Sequence, residues 1–322
     1  MAETDRLHAA IAKIVGSRAA APRLADGRAS LILDVTGLDA KTRDAMAEAA
    51  KAALLALPEV TDVRIAMTSE KKERRIIVVG SGKGGVGKST LAANLAVALH
   101  RMGRKVGLVD ADIYGPSVPR LMSAEGTRPQ AEDQKLIPVE TRFGVPILSM
   151  GQLVKPGQAI AWRGPMAGNA LGQLLDAQWG EAEVLIVDLP PGTGDVQLSV
   201  LQKHKPAGAV IVSTPQDLAL IDAARAVDLF AQANVPIVGL IENMAGYACP
   251  HCGQVSDPFG AGGAQAAAAA MNLDFLGRVP LEIAIRQASD AGQPPAAEEG
   301  FAGEAFRAIA AKVAEWLDRG IS

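Results

Sequence analysis

The chain has 322 residues, 49% of them apolar, enough for the cores of about two domains of 100–200 residues and too many for intrinsic disorder as the main state. Its charges nearly cancel at −3 and its aromatics are 3%, which argues against a general attraction to nucleic acid or anionic membrane and against stacking platforms for single strands. Only two cysteines occur, Cys249 and Cys252, so there is no disulfide framework of the secreted kind. The opening MAETDRLHAA carries acid and no apolar signal core, and no uncharged membrane-length apolar run follows; the expectation is a cytoplasmic protein without membrane or nucleic-acid partners.

In chain order, Leu7, Ile11, Ile14 and Val15 stand at helical spacing, and 30–35 (SLILDV) reads as a short strand. A helix over about 41–56 follows, with Met46, Ala50, Ala53 and Leu54 on one face. Residues 60–67 read as a second strand in which Val63, Ile65 and Met67 alternate with polar or small residues. The charge run from Ser69 to Arg75 reads as a linker, and the expected division is a small α/β domain over 1–70 and a second domain over 71–322. From residue 75 the pattern becomes strand and helix by turns: 76–80, 105–110, 145–150, 184–189, 209–214 and 236–241 are aliphatic runs with little alternation. Strands covered on both faces look like this, and with helix-length stretches such as 90–101 and 218–232 between them they predict a doubly wound, mostly parallel α/β sheet. Residues 264–270 form an alanine-rich helix. Near the end Phe306, Ile309, Val313, Trp316 and Leu317 make one apolar stripe; its mixed-charge polar face points to core packing rather than a membrane helix.

The strand 76–80 runs into Ser81-Gly82-Lys83-Gly84-Gly85-Val86-Gly87-Lys88-Ser89-Thr90 and then a helix. Residues 82–89 fit G-x-x-x-x-G-K-[ST] in the strand–loop–helix context that motif requires. The glycines let backbone amides turn toward phosphate oxygens at a helix N-terminus, Lys88 is placed for the β- and γ-phosphates of ATP, and the Ser89 hydroxyl for Mg²⁺. Asp110 and Asp112 end the next strand, with Asp112 the candidate for positioning the attacking water and Asp110 for supporting Mg²⁺. Asp188 ends an aliphatic strand in the Walker B manner and is expected to hold Mg²⁺ through water. The following Pro190-Pro191-Gly192-Thr193-Gly194-Asp195 reads as a switch loop whose Gly192 amide senses the γ-phosphate.

Cys249-Pro250-His251-Cys252-Gly253 leaves three readings open: a thiol–disulfide motif, two thiols of no chemical consequence, and a metal half-site. A metal or cluster ordinarily needs four ligands, no further cysteine exists, and His8, His100 and His204 show no ligand spacing. Two subunits, each giving two thiolates to one shared cluster, would complete the set, with His251 as a further candidate ligand.

Lys83 resembles the signature lysine of the deviant Walker A class, which includes MinD, ParA, the nitrogenase iron protein and the arsenical-pump ATPases. That likeness implies a lysine reaching the partner's nucleotide, with ATP held between two subunits. Together with Asp110-Ala111-Asp112-Ile113-Tyr114-Gly115-Pro116-Ser117, Trp162-Arg163-Gly164-Pro165, the run from Asp188 to Asp195, Thr214-Pro215-Gln216, Ile241-Glu242-Asn243-Met244 and the cysteine run, the chain over about 74–317 resembles the Mrp/ApbC family of iron–sulfur cluster carrier ATPases. The resemblance implies an ATP-hydrolysing homodimer that binds a labile 4Fe-4S cluster through Cys249 and Cys252 of both subunits. It further implies passage of the cluster to apo iron–sulfur proteins, in concert with assembly factors, and contact of Asn243 with adenine. Residues 1–70 resemble the small domain often fused ahead of this ATPase, without the cysteine some relatives carry, so that recruitment of partners is its expected use. A MinD- or ParA-like spatial-organising ATPase is the main rival, and it needs neither cysteine. A nitrogenase-iron-protein-like electron donor and a metabolic phosphate-loop enzyme are further alternatives.

Overall fold

Alternation of apolar and polar residues along 28–34 buries Ala29, Leu31 and Leu33 and leaves the residues between them in water. That is how a strand covered on one face behaves. It belongs to the first of two units, Met1–Glu73 and Arg74–Ser322, in a computed structural model that describes residues 3–36, 38, 40–68, 74–154, 164–192 and 194–320. The first unit contains α1 (Glu3–Val15), β1 (Arg23–Ala25), β2 (Arg28–Asp34), α2 (Ala40–Leu55) and β3 (Asp62–Thr68). Its sheet has the order β1-β2-β3, with β2 and β3 parallel. Leu7, Ile11 and Val15 of α1 and Ala50 and Leu54 of α2 pack on the buried face. Of the alternating set read in β3, an edge strand, Val63 is buried, Ile65 half-buried and Met67 44% exposed, so burial fades toward the strand's C-terminal end.

The second unit continues with β4 (Arg75–Gly80), α3 (Lys88–Arg101), β5 (Val106–Asp110), α4 (Val118–Leu121), β6 (Gln130–Glu132), β7 (Lys135–Ile137) and β8 (Ile147–Ser149). After these come α5 (Gly164–Leu175), β9 (Val184–Asp188), α6 (Asp195–His204), β10 (Gly208–Ser213), α7 (Asp217–Gln232) and β11 (Ile237–Asn243). The chain ends with β12 (Tyr247–Ala248), β13 (Val255–Ser256), α8 (Gly263–Ala270), β14 (Phe275–Val279), α9 (Ile283–Asp290) and α10 (Phe301–Asp318).

Seven strands pair in the order β14-β11-β10-β4-β9-β5-β8, every pair parallel. Helices cover both faces: α3 and α10 pack against Ile77 and Val79, while α5, α6 and α7 pack against Val78. This is the doubly wound sheet the aliphatic runs predict. The run 145–150 is a strand only over β8, since Ser149 then caps a 3-10 turn. Strand β14 had no aliphatic signature, because it is an edge strand carrying Gly277 and Arg278 among its apolar residues. The stripe on α10 is core, with Phe306, Ile309, Val313 and Leu317 buried and Trp316 packed at its margin. Among the described residues no helix is long and apolar enough to cross a membrane. The candidate residues collect at the C-terminal ends of β4, β5, β9 and β11, where α/β sheets bind ligands.

Candidate functional site

The loop between β4 and α3 is shaped by what its glycines must avoid. At Gly82 a Cβ would lie 2.1 Å from the Asp222 backbone of α7, so the chain passes under that helix only without a side chain. Gly87 takes φ +81 and caps α3, and a Cβ there would stand 2.2 Å from the Asn243 amide nitrogen. Between them Gly84 and Gly85 are exposed, and Val86 is buried with its carbonyl accepting from Asn243 Nδ2 at 2.8 Å. Thr90 sits in the first turn of α3, its carbonyl accepting from Asn94 Nδ2.

Lys88 and Asp188 are both buried and form an ion pair with Nζ–Oδ1 2.5 Å, and the Ser89 hydroxyl lies 3.5 Å from the same ammonium. The other Asp188 oxygen, Oδ2, is buried and has no hydrogen-bond partner among the described residues. Burial raises the Asp188 carboxyl above its ordinary range, opposed by the charge of Lys88. Asp110 pairs in register with Asp188 across β5 and β9; burial, and then the Asp188 charge, push it up to about 7. Its oxygens are occupied, Oδ1 by the Asp112 amide and Oδ2 by the Val118 amide and the Ser149 hydroxyl. Asp112, also buried, accepts through Oδ1 from the amides of Tyr114 (2.9 Å) and Gly115 (3.1 Å), which fixes its carboxylate at the mouth of the site.

Three residues expected to contact nucleotide have other partners in this structure. The Lys83 ammonium meets Gln216 Oε1 at 3.4 Å. The Gly192 amide donates to the Ser81 carbonyl at 3.0 Å, and the Asn243 amide holds the phosphate loop itself. Trp162, Arg163 and Thr193 lie outside the described residues. Ser149 carried no sequence signal, and the Thr214-Pro215-Gln216 run marked Gln216 without showing that it meets Lys83; both contacts depend on residues brought together by the sheet.

The cysteines occupy the turn of a two-stranded hairpin in which Tyr247 pairs with Ser256 and Ala248 with Val255. The Cys249 amide donates to the Gln254 carbonyl and the Gly253 amide to the Cys249 carbonyl, with Gly253 at φ +72 closing the turn. The amides of His251 and Cys252, and then the Cys252 thiol, hydrogen-bond the Cys249 sulfur and lower its pKa. Cys249 is half-buried and Cys252 exposed. Among the described residues no group of three or more His, Cys, Asp or Glu is arranged to hold a metal.

A doubly wound parallel sheet with a phosphate loop after its central strand, a Walker B aspartate beside the loop lysine and a second lysine at position 83 defines a P-loop NTPase of the MinD/ParA class. The family model of the NUBPL iron-transfer P-loop NTPases matches residues 72–314, and the chain belongs to that family. It is 48% identical over 277 residues to an iron–sulfur cluster carrier protein of Deinococcus radiodurans, covering 82% of this chain and 78% of the other. It is 49% identical over 224 residues to the mouse iron–sulfur cluster transfer protein NUBPL, covering 69% and 70%. Among solved structures, a nucleotide-binding protein of Archaeoglobus fulgidus in complex with ADP matches with a TM-score of 0.62 and 39% identity, over 72% of this chain and 91% of that one. The cell division ATPase MinD of Pyrococcus furiosus shares the fold at a TM-score of 0.56 and 24% identity, over 75% and 99%.

Proposed function

We propose that this chain acts in the cytoplasm as an ATP-hydrolysing homodimer that carries a 4Fe-4S cluster on Cys249 and Cys252 of both subunits and hands it to apo-proteins. The observation that carries the reading is the cysteine hairpin: two thiols on an exposed turn, one of them with its thiolate favoured by backbone amides, and no third ligand gathered with them among the described residues. A tetrathiolate cluster then requires a second copy of the chain. A cargo held by two ligands from each of two subunits is released when those subunits separate, which suits a carrier. Relatives named as iron–sulfur cluster carriers support the assignment.

The residues at the phosphate loop fit a Mg²⁺–nucleotide, because Asp188 offers a buried oxygen that has no hydrogen-bond partner among the described residues, with the Ser89 hydroxyl close by. Ser89 and Asp188 would hold Mg²⁺, which supplies charge neutralisation at the phosphates. Lys88 exchanges Asp188 for the β- and γ-phosphate oxygens of ATP, and loop amides from Gly82 to Thr90 wrap the phosphates. Asp112, held by two amides, orients the water whose oxygen bonds to the γ-phosphorus as the bridging P–O bond breaks. Lys83 leaves Gln216 for the partner's nucleotide, and the Gly192 amide leaves the Ser81 carbonyl for the γ-phosphate. Residues 1–70 recruit client proteins.

Anaerobic reconstitution, with iron, sulfide and particle mass determined, tests this. The wild-type chain is expected to hold about four irons and four sulfides per dimer, and Cys249→Ala/Cys252→Ala to hold none while still hydrolysing ATP. ATPase activity with no cysteine-dependent cluster would overturn the carrier reading.

A further inference from the structure

Two consecutive residues at the end of β11 face opposite ways and hold two different loops. Asn243 reaches the phosphate loop through Val86 and packs against Gly87. Glu242, fully buried, accepts from the amides of Gly262 (3.3 Å) and Ala264 (2.8 Å) and from Arg278 Nε (2.8 Å). Between those two anchor points runs the segment that carries the cysteine hairpin. Its outgoing limb leaves Asn243 through Met244 at φ +59 and Gly246 at φ +70. The Ala245 amide ties that limb to the Val279 carbonyl (3.0 Å), and Leu281 donates to the Gly246 carbonyl (2.9 Å). Its returning limb is tied by Glu242 alone among the side chains of β11, at the first turn of α8.

Each of these locks resists sliding for a physical reason. A buried carboxylate that receives two amides and a guanidinium makes charge-assisted bonds, and losing one partner leaves charge uncompensated in a dry place. The Asn243 amide nitrogen stands where a Cβ at Gly87 would lie and donates to the Val86 carbonyl, so a shift of that carbonyl when phosphates enter the loop is passed to Asn243. The path from loop to hairpin is therefore one buried hydrogen bond, one dipeptide and one buried carboxylate. The hydrogen bonds of these two side chains go to Val86, Gly262, Ala264 and Arg278 rather than to the thiols.

We propose that Glu242 and Asn243 form a relay that lets nucleotide in the phosphate loop set the position of the hairpin bearing Cys249 and Cys252. The relay rests on the carrier reading above and supplies its regulation: Glu242 is a positioning residue that fixes the returning limb, and Asn243 reports the state of the loop. Nucleotide acts on the cargo site within one chain, before any rearrangement between subunits.

The test needs no cluster. The full-length apo chain is alkylated with iodoacetamide, with and without Mg-ADP or a non-hydrolysable ATP analogue, and the rates at Cys249 and Cys252 are read by mass spectrometry. Nucleotide is expected to change these rates by about fivefold or more in the wild type. In Glu242→Gln, which keeps the side-chain volume and is compared at nucleotide concentrations that saturate it, as checked with a fluorescent ADP, the ratio collapses to one. Arg278→Gln, at a half-exposed arginine, lowers the ratio in the same direction and serves if melting curves show Glu242→Gln unfolded. A wild-type ratio of one overturns the relay. So does a ratio that persists in both variants, as it would if nucleotide merely buried the thiols between subunits. Failure of the carrier reading is separately visible as absence of cysteine-dependent iron in reconstitution.

Discussion

Asp110 and Asp188 stand in register on paired strand ends with both carboxyl groups out of water, and one lysine, Lys88, pairs with Asp188. Two buried acids sharing one cation relieve their repulsion by keeping a proton. With Asp110 at about 7 in the folded chain and near 3.9 when unfolded, the native state binds the extra proton between these values. Its stabilising effect is present at the acid end of that window and is lost as pH rises through it. In nucleotide-free, chelator-treated protein, stability should fall between about pH 5 and about pH 7, at up to about 1.4 kcal/mol per pH unit. Asp110→Asn should flatten that fall. The amide offers one acceptor where the Asp112 and Val118 amides and the Ser149 hydroxyl find two, so the variant also loses about 1–2 kcal/mol at pH 5. The slope of melting temperature against pH is the diagnostic, and an unchanged slope would place the proton elsewhere. That Lys88, Asp110 and Asp188 come together was legible in the sequence, because each stands at a fixed offset from the end of an aliphatic strand. Ser149 was not, and Gln216 and Glu242 stood in recognised runs whose contacts stayed unread, since what each one touches is distant in sequence.

Elements were readable wherever one physical signal dominated. Strands buried on both faces announce themselves as aliphatic runs, and six of the seven in the large sheet did so. The seventh, β14, needs room for α10 rather than side-chain mass: Gly277 at φ +153 would bring a Cβ to 3.1 Å from Ile309, and a glycine there erases the run. The cysteine hairpin was invisible for a related reason, because strands of two residues have no periodicity and are defined by the turn between them. Helix α10 shows the opposite case, an apolar stripe strong enough to suggest either core or membrane until its charges are counted. Phe306 is almost wholly buried between α10, α3 and the sheet. Phe306→Ala is therefore expected to cost about 3–5 kcal/mol, read as a lower denaturant midpoint. Nucleotide affinity below the melting transition should stay at the wild-type value, because the stripe lies on the packing side of α10 and contributes no group to the phosphate loop.

At the scale of the whole molecule, the ATP site and the cysteine pair make different demands on a second copy. In the proposed dimer, Lys88, Ser89, Asp112 and Asp188 of one chain would serve one nucleotide, with Lys88 and Asp188 already paired, and only Lys83 would act across subunits. On the proposed reading the cargo site is half-built in each chain, since two thiols on the hairpin turn would satisfy half of a tetrathiolate. Mixing subunits separates these demands. When wild-type chains are unfolded and refolded with increasing shares of Cys249→Ser/Cys252→Ser chains, every mixed dimer has two thiolates and cannot complete the site. Cluster content should then follow the square of the wild-type fraction, while ATP hydrolysis stays level across the series. Iron and sulfide per chain, measured against mixing ratio, check this. A linear dependence would mean that a single chain holds its own cluster or metal ion, with the missing ligands drawn from outside the cysteine pair.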